Sequence, residues 1–355
     1  MSLSVDVLIV GGGVAGCIAA LQLVGSGVSA CLIVRATPAR NACEILSPEA
    51  VLGLSSHGIS SCDFELAGSK CFGVISEWGT ETEVIDFGLW RCMEGWFLDR
   101  EMFNKCLQHA VTTKGGLIIN TDSAIRVEQS DAGFILLQTR TGSVIACGRF
   151  LIEATGRGGG LKGAGRKWLR NDRLVAVRGF LDEITIGGAW MRVGTCQSGW
   201  WYSSYPEGRH AEVVLLTDID LLPSSELLSE WFSAELRDAG FSQWQAIQED
   251  PLAVLDARTR LRIQETSDRS LLVGDAAFCI DPLSGSGIAR AIKMAIDAVQ
   301  AITDCLSTGA THSIEHLKAS GAAQYERLCD EQRHVYSQAY LTPKQQTNPF
   351  WRRRI

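Results

Sequence analysis

A doubly wound, Rossmann-like α/β domain interrupted by an antiparallel β-sheet is the fold that this chain of 355 residues predicts. Three observations predict it. Asp6-Val7-Leu8-Ile9-Val10 leads straight into Gly11-Gly12-Gly13-Val14-Ala15-Gly16 and then a helical pattern of Cys17, Ile18, Leu21 and Val24. Ser270-Leu271-Leu272-Val273 is a second apolar run, ending in Gly274-Asp275 and followed by a Gly-rich loop and a long helix face. Between the two lies a region of short strand patterns.

The first run is a buried strand, a tight turn and a helix N-terminus, which together make a dinucleotide site. Gly11 permits the turn, Gly13 lets a pyrophosphate approach the backbone, and Gly16 lets the helix pack close to the strand. The N–H groups around Val14 and Ala15, with the helix dipole, then hold the anion. The second strand, Val28 to Val34, ends in Arg35 where an acid bonding the ribose hydroxyls is expected. Arg35 suits a 2′-phosphate, an adenine stack or a phosphate contact, and this strand alone leaves the three open.

Residues 36–97 read as irregular. A helix is expected from Leu98 to Thr113, with Phe103, Cys106, Leu107 and Ala110 on one face and Gly115-Gly116 ending it. Leu117-Ile118-Ile119 reads as a further buried strand, and Ala124–Gln129, Gly133–Thr139 and Val144–Glu153 as a meander. Leu174–Leu181, Trp190–Val193, Trp200–Tyr205, Glu212–Leu216 and Arg258–Ile263 read as the inserted sheet, with a helical stretch near Ser224–Ala239. Ile288, Ala291, Ile292, Ala295, Ile296, Val299 and Ile302 mark the long helix, and a last helix covers roughly 313–340 before an irregular tail. The expected division is a nucleotide-binding part over 1–172, a substrate sheet over 173–265, and a return of the nucleotide domain over 266–355.

The net charge of −7 leaves no electrostatic footprint for nucleic acid. Arg352-Arg353-Arg354 reads as a solvated tail, with a patch for a membrane or acidic partner as the alternative. No secretory leader pattern and no apolar run of membrane-spanning length are present, so a cytoplasmic location is expected. The 12 cysteines include no Cys-x-x-Cys pair and read as small buried hydrophobes. His312 and His316 share a helix face but have no third ligand in view, so no metal is expected.

The second motif decides the cofactor. Asp275 can accept hydrogen bonds from ligand hydroxyls. The backbone of Gly285, Ser286, Gly287 and Ile288 offers N–H donors at the positive end of a helix, which suits the negative charge of a reduced isoalloxazine. The expected ligand is therefore FAD rather than NADP.

With these motifs and Glu153-Ala154-Thr155-Gly156-Arg157, the chain resembles the FAD-dependent oxidoreductases that group with flavin hydroxylases and tryptophan halogenases. Cys43-Glu44-Ile45-Leu46-Ser47-Pro48 is similar to the family's segment beside the flavin. Ser76-Glu77-Trp78-Gly79, Gly95-Trp96-Phe97-Leu98-Asp99-Arg100 with Phe103, and Pro349-Phe350-Trp351-Arg352-Arg353 resemble the small flavoproteins required for cysteine tryptophylquinone biogenesis. The resemblance implies that Glu44 and Arg100 lie beside the cofactor and that oxygen chemistry belongs to the flavin, so no dedicated acid–base group is required. It also implies an aromatic substrate, with a quinoprotein oxidase precursor as the partner and an external reductant, NAD(P)H or reduced flavin. Arg35 and Ala42 depart from the family pattern; with Arg35 in place of an acid, weak adenosine binding is expected.

Monooxygenation of an aromatic ring is the expected reaction. The alternatives are flavin-dependent halogenation of an aromatic small molecule and a non-enzymatic, flavin-holding maturation role. A halogenase needs a lysine, and Lys70 lies eight residues before Trp78 as in those enzymes; a surface lysine in a loop is the plainer reading. In Gly199-Trp200-Trp201-Tyr202-Ser203-Ser204-Tyr205, alternation sets Trp200, Tyr202 and Ser204 on one face, as a pocket floor or as sheet core. This strand and the Phe350–Arg354 tail are candidates for contact with a protein substrate, the tail's alternative being a pin for the C-terminus. Arg258, Arg260 and Arg262 read as a solvated edge, with an anion site as the alternative. A Gly-x-Ser-x-Gly nucleophile elbow is absent.

Overall fold

The parallel sheet grows from the strand Leu3–Val10, whose last four residues are buried on both faces. Val7 and Ile9 join one apolar cluster while Leu8 and Val10 join the other, the period of two that a central strand requires. A computed structural model describes residues 3–35, 43–91, 94–130, 132–138, 140–158, 161, 166–181, 189–206, 210–241, 252–264 and 269–355. Ala30–Arg35 and Val144–Glu153 flank the first strand in parallel, and Leu117–Thr121 lies outside Ala30–Arg35. Along its far side, Val144–Glu153 pairs first with Gly133–Gln138 of the meander and then, in parallel, with Ser270–Leu272. The helices Val14–Gly25, Arg100–Thr113 and Gly287–Thr308 pack their apolar faces on this sheet through Ile18, Phe103, Leu107, Ile292 and Val299.

A second sheet of seven strands runs in the order Ala253–Asp256, Leu174–Leu181, Ala211–Asp218, Gly199–Ser204, Trp190–Cys196, Gly73–Glu77 and Glu83–Asp86. Neighbours are antiparallel except Trp190–Cys196 with Gly73–Glu77, which are parallel. Two small sheets complete the strands: Cys43–Leu46, Gly95–Asp99 and Gly68–Cys71, and then Arg166–Arg170, Arg260–Gln264 and Phe278–Cys279.

Several expectations are corrected here. The described part of 36–97 is not irregular but holds five strands, the last running on to Asp99, and three short helices. Those strands are four or five residues long and owe their pairing to distant partners, so no local period marks them. The helix expected from Leu98 begins at Arg100, because Asp99 caps it by accepting from Met102 N at 2.7 Å, while Leu98 stays in a strand. Leu117–Thr121 is an edge strand rather than a buried one. The strand expected at Arg258 begins at Arg260 and joins a small sheet. Arg260 and Arg262 are buried rather than solvated: both guanidiniums stack on Trp168, and Arg262 pairs with Glu153 at 3.0 Å.

The tail is the largest correction. It is not irregular: Pro343–Thr347 and Pro349–Arg352 are short helices, and Phe350 and Trp351 have no exposed surface. Trp351 Nε1 donates to the Cys196 carbonyl at 3.1 Å, and its ring meets Trp78 at 6.0 Å. Arg353 reaches Asp218 at 2.7 Å and Asp220 at 2.8 Å; Arg354 reaches Asp218 at 2.6 Å. The tail is a clasp on the large sheet, so the proposal that it docks a partner is withdrawn. Trp351→Ala removes a fully buried indole and is expected to cost about 3–5 kcal/mol. Exposed Arg352→Ala is expected to stay within about 0.5 kcal/mol. Urea unfolding of both variants checks the difference.

Candidate functional site

At the first turn, the glycines divide into two kinds. A Cβ on Gly11, whose φ is +122°, would sit 2.2 Å from the Ala154 carbonyl oxygen, and one on Gly16 would sit 1.8 Å from the Gly11 carbonyl oxygen. Both must be glycine for the chain to pack on itself. Gly13 caps the helix with an ordinary φ of −88°. Its Cβ would have only Arg100 Nη2 within 4 Å, at 3.8 Å. Internal packing makes no demand for glycine there, and the space above it is a cradle that a side chain would fill. Val14 and Ala15 open the helix beneath this space.

Arg100 bounds the cradle from the next helix and forms an ion pair with Glu44 at 2.9 Å, both side chains about one third exposed. Gln108 Nε2 braces the turn by donating to the Gly12 carbonyl at 2.9 Å. Arg35 is exposed at the end of its strand, and Ala42 lies outside the described residues.

The second motif packs onto the first. Gly274 has φ +60°, and its Cβ would lie 3.4 Å from the Ala15 methyl. The Asp275 carboxylate, one third exposed, is held by Arg290 at 3.0 Å and approached by Arg157 at 3.6 Å. Gly285 has φ +59°, a left-handed turn that suits glycine, and Ser286 caps the helix that starts at Gly287 and Ile288. The loop is anchored from below by buried Asp281, which accepts from Tyr336 Oη at 2.6 Å and from Leu283 N at 3.0 Å. Burial pushes the Asp281 carboxyl up to about 6.

The large sheet supplies the other wall. Its register aligns Arg178, Val214, Tyr202, Val193 and Ser76 on one face, and Glu212, Ser204, Met191 and Val74 in the adjoining row. Trp200 shares that face but is buried against Trp78 at 6.2 Å, so it supports the wall instead of lining it. Trp201 lies on the opposite face against Phe241. Tyr202 is half-buried, and burial, then the charges of Glu212 and Glu44, push its phenol far up. Glu212 is a buried carboxylate that accepts from Cys43 N at 2.8 Å. Burial pushes it up to about 7 against the opposing pull of that N–H and of Arg178. The Cys43–Glu212 bond ties the Glu44 segment, and through Arg100 the cradle, to the sheet face.

The family profile described as glucose inhibited division protein A matches residues 6–180. LodB of Marinomonas mediterranea, assigned as an FAD-dependent oxidoreductase, is 25% identical over 99% of this chain and 97% of its own length. Over nearly its whole length the chain is thus a homologue of an FAD-dependent oxidoreductase. Among solved structures, the peptidyl tryptophan dihydroxylase QhpG, essential for tryptophylquinone cofactor biogenesis, matches with a TM-score of 0.80. It is 21% identical, over 99% of this chain and 78% of that one. The myxobacterial chondrochloren halogenase CndH matches with a TM-score of 0.83 and 18% identity, over 99% of this chain and 86% of that one. At these identities the two solved structures share the fold.

In this oxidoreductase, Gly11, Gly13, Val14, Ala15, Gly16, Arg100 and Glu44 surround one cradle. Gly274 joins their elements, and Asp275, Gly285, Ser286, Gly287 and Ile288 line the approach to the second helix. Lys70 stands apart from these contacts: it lies on a strand, half-exposed, in an ion pair with Glu94 at 2.7 Å. Burial pushes the Cys17 and Cys43 thiols up to about 12, as expected of inert hydrophobes. His312 and His316 are exposed, and no metal-holding cluster exists among the described residues. No described helix is long and apolar enough to cross a membrane.

Sequence reading missed Glu212, Arg178, Gln108, Arg290 and Asp281. The signal for Glu212 was an acid opening the apolar run Val213-Val214-Leu215-Leu216. Two predictions follow from the geometry. Gly13→Ala is expected to leave the melting temperature of the flavin-free protein unchanged while abolishing flavin absorbance, whereas Gly16→Ala is expected to destabilise the fold itself. As for Glu212, its raised carboxyl adds stability that is fully present below the usual carboxylate range and lost as pH rises through about 7. Glu212→Gln is therefore expected to flatten the fall in melting temperature between about pH 5 and 8.

Proposed function

We propose that this protein is an FAD-dependent monooxygenase that hydroxylates an aromatic ring, the tryptophan side chain of a partner polypeptide during quinone cofactor maturation. The observation that carries the reading is the Cys43 N–H to Glu212 bond, because it sets an aromatic and acidic sheet face directly beside the phosphate cradle. The name of LodB supports FAD-dependent oxidation, and that of QhpG supports a tryptophan of a polypeptide as the target. FAD, when bound, supplies the two-electron redox chemistry and the activation of oxygen.

The chain's own residues do the rest. The turn at Gly13 and the Arg100 guanidinium hold the pyrophosphate, with Glu44 fixing the guanidinium. Asp275 accepts from ligand hydroxyls while Arg290 and Arg157 hold it in place. The N–H groups opening the helix at Gly287 and Ile288 would stabilise negative charge on a bound flavin. Tyr202 and Ser204 bear on the ring to be oxidised. Glu212, poised near neutral pH, takes the proton that leaves the ring carbon. The balance is one oxygen molecule, two electrons from NAD(P)H or reduced flavin, and two protons, giving the hydroxylated ring and water. In this reading 173–265 face the substrate together with the strands Gly73–Glu77 and Glu83–Asp86, which join the same sheet, and the rest of 1–172 and 266–355 hold the cofactor.

Purified protein, reductant, oxygen and a tryptophan-bearing partner should yield a polypeptide heavier by one or two oxygen atoms. Product masses that depend on bromide instead would establish halogenation and overturn the reading. Because Lys70 is paired with Glu94, Lys70→Ala is expected to keep the oxygen-dependent rate within about tenfold, under about 1.4 kcal/mol of barrier.

A further inference from the structure

The seven-stranded sheet that forms the substrate wall ends in an open edge at Glu83–Asp86. Among the described residues no strand pairs with its outer side. The Phe87 N–H donates to the Phe72 carbonyl, and the one-to-one register from there turns the N–H and C=O groups of Val84 and Asp86 outward. Edges of this kind are usually blunted by lysine, proline or a bulge. This one is apolar and acidic instead. Val84 is 60% exposed, Ile85 42%, and Leu89 87% on the turn that follows. Glu81 and Glu83 beside them are exposed and form no ion pair among the described residues.

The edge is continuous with the site. Ile85 pairs with Val74, Val74 with Met191, Met191's strand neighbour in register is Ser204, and Ser204 pairs with Glu212. Glu83 is likewise in line, through Ser76 and Val193, with Tyr202. Three strand spacings of ~4.8 Å separate Glu83 from Tyr202, about 14 Å.

We propose that Glu83–Asp86 is a docking edge on which an extended, cationic segment of the substrate polypeptide adds as an eighth strand. Main-chain hydrogen bonds to Val84 and Asp86 give the affinity. Val84 and Ile85 select two successive apolar side chains, one on each face, and Glu81 and Glu83 select lysine or arginine at alternate positions beyond them, on the Ile85 face. The added strand lies about 19 Å from Tyr202, so the ring to be oxidised lies about six extended residues further along the same polypeptide. The proposal rests on the polypeptide-hydroxylase reading, and its test separates the two.

The probe is a peptide of about six residues with two successive valines and then lysines at alternate positions, followed by a flexible spacer of about six and one tryptophan. Its affinity is read by fluorescence anisotropy, and its mass is read after incubation with reductant and oxygen. The wild-type protein should bind it and bind a glutamate-for-lysine counterpart at least about tenfold more weakly. Val84→Pro removes an outward N–H that no strand among the described residues uses, a place where an edge strand tolerates proline. It should weaken binding at least about tenfold at unchanged melting temperature, while Val84→Thr, which keeps the N–H, should bind as the wild type does. If Val84→Pro fails to fold, the double variant Glu81→Lys, Glu83→Lys decides, since it should reverse the preference between the two probes. Absence of wild-type binding, equal binding by Val84→Pro, or indifference to probe charge overturns the docking edge. A probe that binds yet gains no oxygen overturns the hydroxylase reading and leaves the edge standing.

Discussion

The close approach of backbone to backbone at Gly11 is the constraint on which the rest of the molecule depends. The Gly11 Cα lies against the Ala154 carbonyl, Gly16 lies against the Gly11 carbonyl, and Ala154 N donates to the Val10 carbonyl at 2.8 Å. Three chain segments thus meet with no side chain between them. Gly274 then sets the returning strand against the start of the same helix. A cofactor corner assembled this tightly leaves little room for adjustment, because packed interiors shift only as units. The first helix, the central strand and the second motif are placed relative to one another before any ligand arrives.

From that corner, rigidity passes to the large sheet by a second route. Buried Asp281 opens the Gly-rich loop and is bonded to Tyr336, whose ring packs on Trp78, Phe350 and Trp351. Trp78 in turn packs on Trp200, and Trp200 on Tyr202 at 6.0 Å. The C-terminal clasp therefore supports both the loop at the second helix and the face that carries Tyr202. Arg353 and Arg354 seat it on Asp218 and Asp220, and the bond from Arg353 holds the Asp220 carboxyl down at about 2. A buried aromatic cluster of this size stabilises by area, and the rim of ion pairs fixes where it sits.

Buried charge marks the seam between the sheets. Glu153 ends the central parallel strand with almost no exposed surface and accepts from Arg262, Thr155 and Leu161. Taking two such charges out of water costs several kcal/mol per ion, and breaking one partner away costs about as much again. The stacking of Arg260 and Arg262 on Trp168 helps offset this by giving each guanidinium a polarisable face. Such a seam contributes orientation more than stability: it allows few arrangements of the small sheet against the parallel one.

Some of this was legible in the residues alone and some was not. Val7–Val10 before Gly11, the Gly274-Asp275 turn, the meander and the 287–308 helix face each carry a local period or a local steric demand, so the chain near them states its own structure. The cofactor class followed, since glycines at 11, 13 and 16 and the second loop are chemistry written within a few residues. Glu212 and Cys43 stand 169 residues apart, and nothing near either one announces the bond between them. The tail looked solvated because three arginines in a row are usually so; Asp218 and Asp220, which neutralise two of them, are visible only once the sheet has formed. The short strands between 43 and 99 carry no period because their partners lie in other parts of the chain. The sequence by itself determined the nucleotide fold and its glycine-built cradle, through sterics that act over a few bonds. Only the tertiary structure decided which carboxylate, which phenol and which sheet edge share a face with that cradle, because burial and register are properties of distant segments brought together.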